Sequence, residues 1–233
     1  MKLSISILCV PNRYNMAKTL YHHIISLGQS VKIFCDVRYQ GCWYGVQHAW
    51  KGMETTSTHH LVLQEDVLLC NNFFAAIDEI LKVLPHHIIS FYNLKSERSK
   101  HDWATKRGYS WVVNDAGSAG PAILMPRDYV YSFLKFSDKW VTPETKYEES
   151  RLWGWQKVNN IHTWVSNPNL VEHLGNMSST LGFNSLGKTA VNYIGDADPL
   201  SIDWRKGAEP ERVFEYTISE NFIKGFKGKV TLV

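Results

Sequence analysis

The strongest constraint on this chain is a rhythm in residues 1–93, where short apolar runs alternate with segments of helical period. "LSISILCV" (3–10) sets Leu3, Ile5 and Ile7 against Ser4 and Ser6 and stops at Pro11, which is the period of a strand. "YNMAKTLYHHIISLG" (14–28) places Met16, Leu20, Ile24 and Leu27 at helical spacing and closes on Gly28, so a helix is expected there. The rhythm continues with a strand over "SVKIFCD" (30–36), a short helix over "YGVQHAWKGM" (44–53) and a strand over "HLVL" (60–63). An amphipathic helix over "NFFAAIDEILKVL" (72–84), stopped by Pro85, and a strand over "HIISFYN" (87–93) complete it. Such alternation predicts an α/β fold on an open, mostly parallel sheet. Sheets of this kind bind ligands in the crevice beyond the carboxyl ends of their strands.

Beyond residue 93 the periodicity weakens. "NLKSERSKHDWATKRG" (93–108) is polar and basic and reads as a long loop, and "YSWVVN" (109–114) reads as a strand. "GSAGPAILMPRDYVYSFLKF" (117–136) leads into a helix near Arg127 to Phe136, and "YEESRLWGWQKVNN" (147–160) is a further helix. Past about residue 175, Gly, Asn, Ser and Asp dominate, which predicts a loop-rich C-terminal portion wrapping the sheet. No internal repeat is visible.

Composition narrows the classes. With 44% hydrophobic and 20% charged residues the chain is globular rather than disordered, and 233 residues suffice for one sizeable domain. A formal charge of +3 suits an anionic ligand without demanding a nucleic-acid surface. Nine Trp and eleven Tyr are first of all core filler, though Trp also offers flat faces for sugars or bases. Cys9, Cys35, Cys42 and Cys70 show no CxxC pair or zinc-finger spacing, so reduced thiols are expected. No apolar run approaches the roughly 20 residues of a membrane span. The opening "MKLSISILCVPNR" has a strand period and no small-residue cleavage site, so a cytoplasmic protein without a signal sequence or membrane span is expected.

Several residues carry possible chemistry. "HLVLQEDV" ends an apolar strand in Glu65 and Asp66, and acids at a strand end suit Mg²⁺ or Mn²⁺ as well as a solvated turn. Asp36 ends the preceding strand and is expected to share its crevice. In "PNLVEHLGNMSS" (168–179), His173 is followed by Gly175, Ser178 and Ser179, small residues that suit a phosphate-binding turn. Glu148 and Glu149 open a helix, where the dipole favours acids, but where one of them is also placed to act as a general base. Lys95, Arg98, Lys100, Lys106 and Arg107 interleave with His101 and Trp103, either as a solvated loop or as a contact for a phosphate-bearing polymer. "GFNSLGKT" (182–189) fits the P-loop expression, but no strand-like run precedes it, and Gly195 and Pro199 would cut short any helix after it.

Taken together, these residues resemble the GT-A class of nucleotide-sugar glycosyltransferases, from the first strand to about Lys188. "LVLQEDV" looks like the strand ending in a DxD-type motif, with Gln64 departing from the acid found there. "PNLVEHLGNMSS" is similar to a Pro-x-Leu-x-x-His-x-Gly-x-x-Ser-Ser segment of some N-acetylglucosaminyltransferases and related bacterial and viral enzymes. The resemblance implies a single GT-A catalytic domain over 1–233. Within it, 1–93 would bind the nucleotide-sugar, 94–180 the acceptor, and 181–233 would form the loop-rich remainder. It implies Asp66 and His173 as ligands of Mn²⁺ or Mg²⁺, and Glu148 or Glu149 as the base. Pro11, Arg13, Asp36, Gln64, Glu65, Ser178, Ser179 and Lys188 would line the donor site. The implied reaction is inverting transfer from a UDP-sugar to a hydroxyl, either of a hydroxymethylated base in phage-type DNA or of a bacterial surface glycan. The setting would be a bacterial cytoplasm or a phage-infected cell. A P-loop phosphotransferase and a non-catalytic sugar- or nucleic-acid-binding module are the alternatives.

Overall fold

The computed structural model describes residues 2–117, 120–142, 147–175 and 188–216. Strands β1 (Leu3–Cys9), β2 (Lys32–Cys35) and β3 (His59–Gln64) alternate with helices α1 (Tyr14–Ser26) and α2 (Cys42–Lys51), as the sequence rhythm predicts. A short β4 (Val67–Leu69), α3 (Phe73–Val83) and β5 (Ile88–Ser90) follow. Next come α4 (Arg98–Lys106), β6 (Trp111–Asn114), β7 (Ala122–Pro126), α5 (Arg127–Trp140) and α6 (Glu148–Asn159). β8 (Thr163–Ser166), β9 (Val171–His173) and β10 (Val213–Phe214) complete the strands.

Eight strands form one sheet in the order β10-β6-β8-β5-β7-β3-β1-β2, and β4 and β9 form a separate pair. The fold class is α/β with an open mixed sheet. Within the large sheet four pairings are parallel and three antiparallel, the latter involving β7 and the β6–β8 pair.

Period-two burial puts a core on each face of the sheet. Leu61 and Leu63 of β3 and Leu124 of β7 pack with α1 and α3 through Leu20, Ile24, Phe73 and Ile77. Val62, Ile123 and Met125 turn to the other face, against Trp50 of α2, Phe133 of α5 and Trp155 of α6. The serines of β1 do not face solvent: Ser4 and Ser6 are buried against His60. His60 Nδ1 lies 2.7 Å from Ser4 Oγ, and Nε2 lies 3.1 Å from Ser6 Oγ and 2.9 Å from the Ala49 carbonyl. A neutral ring satisfies this site by accepting at Nδ1 and donating at Nε2.

Residues 93–108 are not a long loop. They form a short 3-10 turn (Lys95–Glu97) and then α4, whose buried residues are His101 and Ala104. A helix with so narrow an apolar stripe leaves little hydrophobic period to read. Polar contacts seat it instead: His101 Nδ1 donates to Asn167 Oδ1 at 3.0 Å, and Asn93 Nδ2 donates to His101 Nε2 at 3.3 Å. β7, read from the sequence only as a lead into a helix, is a fully buried strand. Its continuous apolar run carries no alternation by which to recognise it.

Burial pushes His60 and His101 down to about 4, with hydrogen bonds only partly opposing it. A ring neutral in the folded state and basic when unfolded contributes stability above the ordinary histidine pKa, and that contribution is lost as pH falls toward the folded value. Ring NMR titration is therefore expected to find His60 and His101 still neutral at pH 5.5. Protonation of either near neutrality would contradict this packing.

Candidate functional site

The carboxyl ends of β1, β2 and β3 lie side by side, and the residues that come after them build the site. β1 runs into the short 3-10 turn Pro11–Arg13, β2 is followed by Asp36, and β3 ends at Gln64 before the Glu65-Asp66 turn. That turn leads into β4, which pairs antiparallel with β9 so that Val67 stands opposite His173. The Leu174 amide then donates to the Asp66 carbonyl at 2.9 Å. Residues more than a hundred positions apart in the chain are thereby fixed beside each other.

The Arg13 guanidinium reaches both acids through Nη1, at 2.9 Å from Glu65 Oε1 and 2.8 Å from Asp66 Oδ2. His173 Nε2 lies 3.3 Å from the same Asp66 oxygen. All four residues are buried. Burial, with the Asp66 charge beside it, raises the Glu65 carboxyl above the usual range despite Arg13. Burial works to raise Asp66 too, but the His173 ring and Arg13 outweigh it and hold that carboxyl low. His173 is raised in turn: the pull of Asp66 exceeds the opposing effect of burial.

The chemistry of this cluster fits a divalent cation. Asp66 Oδ1 is buried and has no hydrogen-bond partner. His173 Nδ1 sits 3.0 Å from the Lys188 carbonyl, so an Nδ1–H tautomer donates there and leaves the Nε2 lone pair toward Asp66. The Gly175 amide also points at Nδ1, at 3.1 Å, and is satisfied when the proton moves to Nε2. The ring thus has a partner for either tautomer. Asp66 and His173 together offer two potential ligand side chains, and among the described residues no group of three or more His, Cys, Asp or Glu is placed to hold a metal. Ligand oxygens and water would have to complete the shell.

The two helix-opening acids part company. Glu148 is 5% exposed, and its Oε1 accepts from Trp50 Nε1 at 2.6 Å. A Cβ added to Gly120 would lie 3.6 Å from its Oε2 and 3.4 Å from Gln64 Nε2, so Glu148 lies close to Gly120 and the end of β3. Burial pushes its carboxyl up to about 7, against the Trp50 hydrogen bond. Glu149 is exposed as a residue, yet desolvation of its carboxyl raises it from the usual range. The Lys188 charge and the Gly120 amide work in the opposite direction. Burial raises the Tyr92 hydroxyl above its ordinary value, and the charges of Glu172, Asp66 and Glu149 add to that.

The other candidate residues are dispersed around this cluster. Asp36 is 4% exposed, with Oδ2 accepting from the Gly41 amide at 3.0 Å and Oδ1 without a partner. Pro11 and Gln64 are half-buried at the ends of β1 and β3, and Lys188 is exposed. Gly175 has a positive φ, and a Cβ there would meet the Lys188 carbonyl at 2.8 Å, so a glycine is required where this loop passes. Ser178 and Ser179 lie outside the described residues, as does most of "GFNSLGKT". Residues 188–198 contain no helix, contrary to what a P-loop ending at Thr189 requires. Trp50 and Tyr92 were not legible as site residues, because nothing in their spacing marks which acid or ring they would meet.

A separate depression of about 680 Å³ is lined by His87, Trp164, Tyr109, Arg205 and Glu209 among others. It opens near the amino ends of β5 and β8, and Asp66, His173 and Glu149 are not part of it.

Two consequences are measurable. Arg13→Ala leaves Glu65 and Asp66 buried without their cation, and a loss of about 3 kcal/mol in urea denaturation is expected. Glu148 has a folded pKa above its unfolded one, so its contribution is present below pH 4.5 and is lost as pH rises through about 7. Glu148→Gln keeps an acceptor for Trp50. Its stability relative to wild type should therefore rise between pH 5 and pH 8, by on the order of 2 kcal/mol.

No family model matches the chain, and no curated protein sequence matches it. Among solved structures, the crystal structure of S. aureus TarS 1-349 aligns at 11% identity and a TM-score of 0.40. The alignment covers 72% of this chain, which spans 58% of the length of that one.

Proposed function

We propose that this protein is a metal-dependent glycosyltransferase that moves a sugar from a nucleotide-sugar, a UDP-sugar in the first instance, to a hydroxyl acceptor. The observation that carries this reading is the convergence at the carboxyl ends of β1 and β3. There Asp66, with one buried oxygen unpartnered, faces His173 Nε2 at 3.3 Å beside the Arg13 guanidinium. Asp36, with its own unpartnered oxygen, follows the neighbouring β2 and suits a ribose or base donor group.

In this reading Asp66 and His173 hold Mn²⁺ or Mg²⁺. When bound, the ion offsets the negative charge that develops on the departing diphosphate. Arg13 keeps Asp66 ionised and Glu65 in place, and Lys188 adds positive charge on the open side. Glu149 is the base: it is the acid an acceptor hydroxyl can reach, whereas Glu148 is committed to Trp50. Attack on the anomeric carbon with one such base implies inversion. Exposed Lys95, Arg98, Lys106 and Arg107 on and beside α4 favour an anionic acceptor, a hydroxymethylated base of phage-type DNA before a neutral surface glycan. A base in duplex DNA would have to leave the stack to reach Glu149.

Thermal stabilisation by UDP-sugars, GDP-mannose and ATP, each with and without Mn²⁺, tests the reading. Stabilisation by one nucleotide-sugar that requires the metal is expected, together with slow release of the nucleotide. Asp66→Asn and His173→Ala should each abolish the metal-dependent part. Glu149→Gln should reduce turnover by roughly 10²–10⁴-fold and Glu148→Gln by much less. Stabilisation by ATP alone would overturn the transferase reading, and sugar binding without turnover, indifferent to Asp66→Asn, would favour a binding module.

A further inference from the structure

Tyr92 stands at this crevice with a hydroxyl that the proposed transfer leaves unused. It is 1% exposed, yet its hydroxyl has no hydrogen-bond partner among the described residues. Its backbone is held firmly. The Phe91 amide donates to the Ala122 carbonyl at 3.1 Å, the Leu170 and Val171 amides both reach the Phe91 carbonyl at 3.1 Å, and Ser90 Oγ donates to the Tyr92 carbonyl at 2.9 Å. The ring packs against His173, with centroids 6.0 Å apart. A phenol fixed this way cannot swing away to find water.

Burial is the main reason this hydroxyl keeps its proton, and the charges of Glu172, Asp66 and Glu149 add to it. One oxygen of Glu172 and one of Asp66 are engaged elsewhere. Glu172 Oε1 accepts from the His173 amide at 2.9 Å and the Ala190 amide at 2.6 Å. Asp66 Oδ2 is shared by Arg13 and His173. The phenol proton is directed at no described protein group, on a ring that packs against His173. A neutral phenol there donates best to an anionic oxygen.

We infer that the Tyr92 hydroxyl donates a hydrogen bond to the diphosphate of the bound nucleotide. This rests on the transferase reading. The diphosphate is the anion that Asp66 and His173 would address through the cation, and Tyr92 packs on the His173 ring itself. Its contribution would grow as charge builds on the leaving oxygen, so it should appear in turnover as well as in binding.

The test compares Tyr92→Phe with wild type by calorimetry against UDP and UMP in the presence of Mn²⁺, and by the rate of UDP-sugar hydrolysis. Loss of the hydroxyl should weaken UDP roughly tenfold, leave UMP within about twofold, and slow hydrolysis by at least as much as it weakens UDP. The melting temperature should hold or rise, because the substitution removes a buried polar atom that had no partner. Equal UDP affinity and equal turnover in the two proteins would overturn the Tyr92 assignment alone. Failure of wild type to bind UDP with any divalent ion would overturn the transferase reading and this inference with it. Should the variant not fold, wild type labelled at tyrosine Cζ gives the same answer. The Tyr92 resonance, assigned through its backbone, is expected to shift on saturation with UDP and Mg²⁺ and to stay put with UMP. An unmoved resonance at saturating UDP would refute the contact.

Discussion

The geometry of the crevice depends on one short antiparallel pairing. β4 and β9 stand apart from the main sheet, and their register places Val67 opposite His173. That register brings a histidine from late in the chain against an acid at the end of β3. A slip of one residue would turn His173 to the other face of the pair and dissolve the contact with Asp66. Arg13 completes the arrangement from the turn after β1, and it answers an electrostatic necessity. Two adjacent buried carboxylates repel, and a shared cation is what lets at least one of them stay ionised. Such a cluster is a poor way to gain stability, since apolar residues of similar volume often do as well or better. Its presence at the carboxyl ends of the strands is better explained by what it can bind.

The second acid pair shows how burial overrides a helix terminus. The start of α6 favours negative charge by roughly 0.3–1 kcal/mol, which alone would hold both glutamates low. Glu148 is instead pushed up to about 7, because desolvation of a fully enclosed carboxyl exceeds that modest gain. The same turn leaves Glu149 exposed. One helix start thus carries two acids in different surroundings, one enclosed against Trp50 and one exposed. Helical geometry alone predicts that only one of two neighbours can face the crevice, but which one is decided by Trp50, a residue of α2 that meets Glu148 in space alone.

Legibility in the sequence tracks the hydrophobic trace that each element leaves. β1 and helices α1 and α3 carry clear periods because each has one apolar face in its sequence, β2 and β3 show as short apolar runs, and the structure finds all five within a few residues of their expected bounds. α4 has no such face, since its seat is the His101–Asn167–Asn93 network, and hydrogen-bond partners distant in sequence leave no period behind. β7 is hidden for the opposite reason: buried on both faces, it alternates nothing. For the site, Glu65, Asp66 and Asp36 could be placed at strand ends by counting. The bridging by Arg13, the partner of His173 Nδ1 and the stranded hydroxyl of Tyr92 arise only when the chain is closed on itself.

Two buried carboxylate oxygens without partners then bear on one another. Asp36 follows β2 and Asp66 follows β3, and both strands pair with β1, so the two acids flank the end of a single strand with Arg13 in the turn between them. Each orphaned oxygen carries a desolvation cost of about 1–3 kcal/mol or more that nothing in the described chain repays. The two call for different partners. Asp36 already accepts from the Gly41 amide, a hydrogen-bonding environment that suits a second neutral donor such as a hydroxyl. Asp66 shares its other oxygen with a guanidinium and an imidazole, so its carboxylate stands among positively charged or ionisable groups. A ligand with a hydroxylated head and a metal-bound anionic tail, lying across the end of β1, would satisfy both at once. A nucleoside diphosphate has that polarity, whereas a free sugar or a simple metal ion would leave one of the two oxygens stranded.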